Sequence, residues 1–515
     1  MIKFGQRAQI FTTSCAIKHK MKNPGYLKER FVFVNLSVKS GYVSGINHGI
    51  AYLVPILRKY DYEPYILNIR SEISVKEFMR QINVLDPSIV GFSCLSNQLI
   101  YLKKYSESLQ NKKTILQIAG GVCPTLEPET VLSFTSVKGV CVGEGEKPLD
   151  NLFSRIRQKQ NLFDTEGFYW KNEKEITKNV VPSFVADLST LDFPDYSVFD
   201  NFLVCNNSYL LVMLSRGCPY SCSYCCNDAK RSIYRSSAKY FRVPSVEYAI
   251  SLIEKLVAQY PKAKFIQLED DLLIANKDWF ESFAEQYAKK IKIPYKCCVR
   301  TEYITPDIAK AMKSSGCMQA MIGLESGNEY LRNNLLNRKY SNDLFIEKTK
   351  ILKDEGIELF VFNIVGFPFE TAAQMQDTLN LNKQISPDYG VCTFFYPYKG
   401  TELYSLCERD GLLKSEKDAR MITNYNTRPA IKLTNVKENE CIYFQRRITN
   451  YLVWQFLLSK YKKFAISHSP FKKIVYFVYL WFDLYIKRRL SGIVHNSPIL
   501  YAWYSKVKYY LYGKK

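Results

Sequence analysis

The strongest constraint in this 515-residue chain is that short apolar runs alternate with helical stretches in two successive blocks. In the first block the runs FVFVNL, PYILNI, SIVGFS, TILQIAGG and GVCVGEGE are interleaved with helically spaced stretches at 47–60, 75–84 and 98–110. Strands this apolar need cover on both faces, and crossover helices supply it in a parallel sheet. Residues 31–157 are therefore expected to form a doubly wound, Rossmann-like α/β domain with ligands at the carboxyl ends of its strands. The second block runs through YLLVMLS, KFIQLED, YKCCVR, MQAMIGLE, ELFVFNIVG and YGVCTFFYP. Six strand–helix units over 208–404 fit a partial (β/α)6 barrel, whose chemistry also sits at the carboxyl strand ends. Between the blocks, 158–207 has weak periodicity and reads as a linker packed on its neighbours. Residues 405–515 read as a mainly helical, basic and aromatic C-terminal region.

With 47% hydrophobic and 14% aromatic residues the chain is not a disordered one. Its fifteen cysteines are scattered, unlike a secreted disulfide framework, and the first thirty residues lack a signal peptide's apolar core. A reducing cytoplasm is the expected location. The net charge of +22 is concentrated at one end: residues 451–515 hold twelve Lys or Arg against the single acid Asp483, a net +11.

Directly after the first barrel strand comes Arg216-Gly217-Cys218-Pro219-Tyr220-Ser221-Cys222-Ser223-Tyr224-Cys225, a CxxxCxxC loop. Three thiolates from one loop can bind three irons of a cubane and leave the fourth iron open to a substrate or cofactor. A structural zinc would need a fourth ligand, and a CxxC redox pair would not need the third cysteine.

Cys218, Cys222 and Cys225, with aromatic Tyr224 before the last, resemble the signature of the radical S-adenosylmethionine (SAM) superfamily. The resemblance implies a [4Fe-4S] cluster whose open iron is chelated by SAM, and a one-electron cleavage of SAM to methionine and a 5′-deoxyadenosyl radical. It extends over 209–404. Glu269 and Asp270 close the second strand where relatives carry an acidic motif, and a carboxylate there would accept from SAM's ammonium; an ordinary strand-end acid is the alternative. Arg300 ends the third strand and would suit SAM's carboxylate, or else form a surface ion pair. Gly323-Leu324-Glu325-Ser326-Gly327 resembles the GxExG element, with Glu325 and Ser326 toward the ribose or methionine part of SAM. Phe362-Asn363-Ile364-Val365-Gly366-Phe367-Pro368 resembles the GxIxGxP element, with Ile364 near adenine, although Phe362 replaces its first glycine. Pro397-Tyr398-Lys399-Gly400-Thr401 resembles a further element and also fits a tight turn.

In the first block, Ser93-Cys94-Leu95 and Gly120-Gly121 resemble the SxL and GG elements of cobalamin-binding domains, where Ser93, Leu95, Gly120 and Gly121 would border the nucleotide tail. The glycines alone also fit a generic Rossmann-like sheet. With a Gly-rich first loop at 40–49 and the GEGE segment at 143–146, the chain resembles the cobalamin-dependent radical SAM group. No Asp-x-His-x-x-Gly follows the first strand. His48 reads as a polar helix-start residue, so cobalamin is expected without a histidine ligand to cobalt, a degenerate domain that binds none being the alternative.

The resemblance implies cobalamin-dependent methyl transfer to an unactivated carbon or phosphorus centre of a small or lipid-like substrate, with flavodoxin or ferredoxin as the electron donor. Ring-forming or rearranging chemistry, RNA methylthiolation and a non-catalytic redox sensor are the alternatives. Cys94, Cys123 and Cys141 do not follow the methylthiolation pattern. The tail segment KKIVYFVYLWFDLYIKRRL is too interrupted to span a bilayer; it suits contact with an anionic membrane surface or a cover over a greasy pocket. A buried-face helix with a solvated basic side fits it equally, and nucleic-acid binding ranks lowest because no RNA module is present.

Overall fold

The computed structural model describes residues 28–38, 46–173, 175–199, 205–206, 209–234, 239–415, 418, 422 and 424–465. The first sheet contains β1 Arg30–Leu36, β2 Glu63–Ile69, β3 Ile89–Cys94, β4 Leu116–Gly120, β5 Gly139–Cys141, β6 Phe168–Lys171 and β7 Ile176–Lys178. Their spatial order is β2-β1-β3-β4-β5-β6-β7, with β1 to β5 parallel. The chain leaves β1 for β2 on one side and returns to β3 on the other, so the loops after β1 and β3 splay apart. That switch point opens a ligand crevice at the carboxyl edge.

The sheet reaches into the stretch expected to be a linker. β6 and β7 form an antiparallel hairpin added beyond β5, and Trp170 covers Gly139, where a Cβ would lie 2.4 Å from the indole. A hairpin of three residue pairs carries little sequence periodicity, which is why 158–207 reads as irregular. Cys205–Asn206 from the same stretch is β8, an antiparallel edge strand of the second sheet.

That second sheet is the expected partial barrel. β9 Tyr209–Val212, β10 Phe265–Leu268, β11 Tyr295–Val299, β12 Cys317–Glu325, β13 Glu358–Val365 and β14 Tyr389–Phe394 are parallel and neighbour one another in sequence order. The sheet stays open, with β8 and β14 as its edges. Each returning helix is started by a polar cap: Ser245, Asn276, Thr305, Ser341 and Thr371 accept a hydrogen bond from the backbone amide three residues on. These caps satisfy amides that the first helical turn leaves unpaired.

One apolar cluster joins the two sheets. It passes from Phe31, Ile50 and Val54 through Tyr196 to Leu210, Ile250 and Ile266. The C-terminal region is helical where it is described: helix Glu438–Ala465 lays Cys441, Phe444, Ile448 and Leu452 on Val365, Cys392 and Phe394, and Gln445 donates to the Cys392 carbonyl at 2.7 Å. It therefore covers the β14 edge of the barrel. The basic tail from 466 onward lies outside the described residues. Among those described, no helix is long and apolar enough to cross a membrane.

Candidate active site

The cysteine loop begins where β9 ends and closes into helix Cys226–Ile233. Its path is held by Asp270, which is buried and accepts from the Leu214 amide (3.0 Å), the Ser215 hydroxyl (2.6 Å) and the Ser215 amide. Burial pushes that carboxyl up to about 6 against these donors. Asp270 thus shapes the loop. Glu269 accepts from Gln267 (3.0 Å) and meets His48 Nε2 at 3.0 Å. The exposed member of the acidic strand end is Asp271, whose Oδ2 accepts from Asn227 at 2.9 Å.

Cys222 is buried, whereas Cys218 and Cys225 are partly accessible. Two guanidinium groups approach the Cys222 sulfur: Arg300 Nη1 at 3.2 Å and Arg338 Nη1 at 3.9 Å. Arg300 also rests over the Tyr220 ring, 3.4 Å from its centroid, and binds Glu302 at 2.9 Å. Its surroundings make it a buried cation beside the cluster loop instead of a surface ion pair.

Arg338 had no signal in the sequence: it stands outside every strand end and every motif. In the fold it is the hub of the site. Its Nη2 donates to the Gly323 carbonyl (2.6 Å), its Nη1 lies 3.8 Å from Glu325 and 3.4 Å from the Tyr224 hydroxyl. Glu325 adopts φ +64° at the end of β12, beside a register shift between Gly323 and Glu325. A non-glycine residue there costs energy, so strain of this kind marks a position held by its surroundings. Burial raises the Glu325 carboxyl above its ordinary value, with Arg338 opposing.

Ser326 is fully buried; its hydroxyl accepts from the Asn328 amide (3.2 Å) and its carbonyl from Arg332 (2.9 Å). Ile364 and Tyr224 both border the apolar patch around Phe367 and Phe395. The structure therefore brings Cys222, Tyr224, Arg300, Glu325 and Ile364 to one end of the barrel, while Asp270 holds the cysteine loop through Oδ1 and Glu269 meets His48. In the 397–401 element, Gly400 turns at φ +82° and Thr401 caps helix Glu402–Arg409. Lys399 reaches across to Thr130 of the first sheet's unit at 3.3 Å.

The donor set fits a cubane. Three thiols come from one eight-residue loop, and two guanidinium groups lie against one of the sulfurs. Among the described residues no three His, Cys, Asp or Glu side chains converge on a single-ion site. A cubane does not ask for convergence, since its thiolates bind different irons.

At the first sheet's carboxyl edge, Ser93 and Leu95 are half-buried and Gly121 is exposed. Gly121 has φ +96°, and a Cβ there would lie 3.0 Å from the Ser93 hydroxyl. Bare backbone is required at this edge, which suits the close approach of a nucleotide tail. Asn47 caps helix His48–Lys59 and donates to Ser93 Oγ at 2.9 Å. His48 does open that helix, but it is buried, with Nδ1 2.6 Å from the Tyr196 hydroxyl and Nε2 on Glu269. Both ring nitrogens are thus engaged across the two sheets. Cys94 and Cys123 share a hydrogen bond, which with burial pushes the Cys123 thiol up.

An open parallel barrel with a three-cysteine loop after its first strand, joined to a doubly wound sheet with a bare glycine edge, defines an iron–sulfur enzyme with a second cofactor domain. Residues 212–381 match the radical SAM superfamily and residues 38–153 match the B12 binding domain. The chain belongs to the radical SAM enzymes that carry a B12-binding domain, and its cofactors are a [4Fe-4S] cluster, SAM and cobalamin.

It is similar to an uncharacterized methyltransferase of Pyrococcus horikoshii, 23% identical over 369 residues, covering 71% of this chain and 79% of that protein. It is 22% identical over 372 residues to an anaerobic magnesium-protoporphyrin IX monomethyl ester cyclase of Rubrivivax gelatinosus, covering 69% of this chain and 65% of that one. The fold matches the cobalamin-dependent SAM radical enzyme OxsB with aqua-cobalamin bound, at a TM-score of 0.64 and 16% identity, over 93% of this chain and 75% of OxsB.

Proposed function

We propose that this enzyme is a cobalamin-dependent methyltransferase acting on an unactivated carbon or phosphorus centre of a small or lipid-like substrate. The observation that carries the reading is the pairing of the cysteine loop with the glycine-edged crevice in one continuously packed body, supported by the methyltransferase among the similar proteins. When bound, the cluster supplies the electron that splits SAM, and cobalamin supplies the methyl carrier.

The chain's own residues supply position and charge. Cys218, Cys222 and Cys225 hold three irons. Arg300 and Arg338 donate to the Cys222 sulfur and orient it. Glu325 and Ser326, with Ile364 and Tyr224, border SAM, and the Arg338 guanidinium fixes the Glu325 carboxylate in place. Ser93, Leu95, Gly120 and Gly121 form the seat of the cobalamin tail. Buried Phe367 and Phe395 keep water from the barrel end. Flavodoxin or ferredoxin delivers the electron, and the basic C-terminal segment provides contact with a membrane surface in the cytoplasm.

A second reading, ring formation, is favoured by the similarity to the Rubrivivax cyclase. The two separate on products. Anaerobic enzyme loaded with iron, sulfide and hydroxocobalamin, and supplied with trideuteromethyl SAM and a reductant, is assayed against candidate substrates. Methyl transfer yields S-adenosylhomocysteine together with 5′-deoxyadenosine and a labelled product. Formation of 5′-deoxyadenosine and an unlabelled product without S-adenosylhomocysteine refutes the methyltransferase reading.

A further inference from the structure

The GEGE segment lies at the carboxyl end of β5, on the first sheet, yet its two carboxylates point at the cysteine loop. Glu146 Oε1 meets Arg216 Nη2 at 2.6 Å, and Glu144 Oε2 meets Arg216 Nη1 at 3.2 Å. Glu144 Oε1 also meets Arg242 Nη2 at 2.5 Å, and its Oε2 accepts from the Val185 amide at 3.2 Å. Arg216 and Arg242 exchange backbone hydrogen bonds of 2.9 Å in both directions. Arg216 lies over the Tyr52 ring, 4.7 Å from the centroid, and Arg242 over Phe184 at 4.1 Å. None of the four charged side chains is more than 18% exposed. Separating them would strand buried charges, which costs far more than breaking a surface pair.

Both ends of this cluster are tied to a cofactor seat by short, stiff links. On the first-sheet side, the Gly143 amide donates to Thr125 at 3.1 Å, and toward the barrel the Glu144 amide donates at 2.7 Å to the hydroxyl of Tyr234, which caps the helix after the cysteine loop. Thr125 sits in helix Val122–Leu126, which Gly121 opens. On the barrel side, Arg216 is two residues before Cys218. The intervening Gly217 has φ +79°, and a Cβ there would lie 2.4 Å from the Tyr240 carbonyl. Only glycine fits this turn, which packs directly on Tyr240, two residues before Arg242.

From this geometry we infer that Glu144, Glu146 and Arg216 form a positioning clamp that makes occupancy of the cobalamin crevice and of the cysteine loop mutually reinforcing. The four buried charges must move together, so a cofactor that holds one loop in its bound position also holds the other, and the second cofactor meets a seat already set in place and binds more tightly. The coupling is reciprocal by linkage: the factor by which the cluster strengthens cobalamin binding equals the factor by which cobalamin strengthens cluster retention.

The test is a hydroxocobalamin titration, followed by absorbance, of the full chain with its cluster reconstituted and of the same protein stripped of iron by a chelator. Wild type is expected to bind hydroxocobalamin at least about five-fold more tightly when iron-loaded, the lower end of typical coupling. In Glu146→Gln that ratio should fall below about two-fold, with the affinity of the iron-free protein unchanged. Tyr52→Leu, which removes the platform under Arg216 and leaves all charges in place, should lower the ratio in the same direction and serves if Glu146→Gln does not fold. A wild-type ratio of one, or variants that keep the wild-type ratio, overturns the clamp. So does an equal loss of affinity in both states, which is what a purely structural role produces.

Discussion

Arg338→Met tests the reading of the barrel end most directly. The Arg338 and Glu325 side chains are 7% and 11% exposed and 3.8 Å apart, so this is a buried pair with little solvent screening. Deleting one partner of such a pair costs about 3–5 kcal/mol, because the other charge is left buried. The separation is near the limit for an ion pair, which puts the expected loss at the lower end, about 3 kcal/mol. The Gly323 carbonyl also loses its 2.6 Å donor, a further ~1 kcal/mol.

The loss should depend on pH. Burial already raises the Glu325 carboxyl while Arg338 opposes that rise, so removing the arginine raises it further. A carboxyl whose folded pKa exceeds its unfolded value gives its full stabilisation below the unfolded pKa and loses it as pH rises through the folded pKa. The deficit of Arg338→Met is therefore expected to be larger at pH 8 than at pH 5. Urea midpoints of the variant and wild type at the two pH values measure it. A deficit below about 1 kcal/mol at pH 8, or one that is the same at both pH values, refutes the assignment of Arg338 as the counter-charge of Glu325.

Cys222→Ser should abolish retention of iron on anaerobic reconstitution, while Cys298→Ser, half-buried on β11, should keep wild-type iron; iron and sulfide per chain after desalting decide it. Gly121→Val, at φ +96° and with its Cβ 3.0 Å from Ser93, should lose hydroxocobalamin retention at least ten-fold and destabilise the fold by about 1–2 kcal/mol, read by absorbance after gel filtration and by melting. Glu370 is fully enclosed and accepts from the Gly366 (2.6 Å) and Phe367 (3.1 Å) amides, and burial pushes its carboxyl from 4.5 to about 8. Its contribution to stability is complete below pH 4.5 and is lost as pH rises to about 8, so Glu370→Gln should melt above wild type at pH 9 and not at pH 5; the reverse order would show the carboxylate to be stabilising.

Much of the architecture was legible because it rests on local patterns. Apolar runs buried on both faces mark parallel strands, and the Ser, Asn and Thr caps mark where each returning helix begins. The β6–β7 hairpin escaped because strands of four and three residues are too short to show alternation and are held by pairing to β5. Glu269 and Asp270 are recognisable strand-end acids, but the sequence carries nothing about His48 or Ser215, which occupy them.

Three cysteines at fixed spacing on one loop, a glycine pair at one strand end and the order of the two sheets are all readable from the chain alone. These are local features, set by residue type and by neighbours a few positions away. Which charges meet is set by the closed fold. Arg338 lies 116 residues from Cys222, Glu269 lies 221 from His48, and Arg216 lies 70 from Glu146. Such pairs leave no periodic trace, because what selects them is the burial of a charge that must find a partner once the two sheets close on one core.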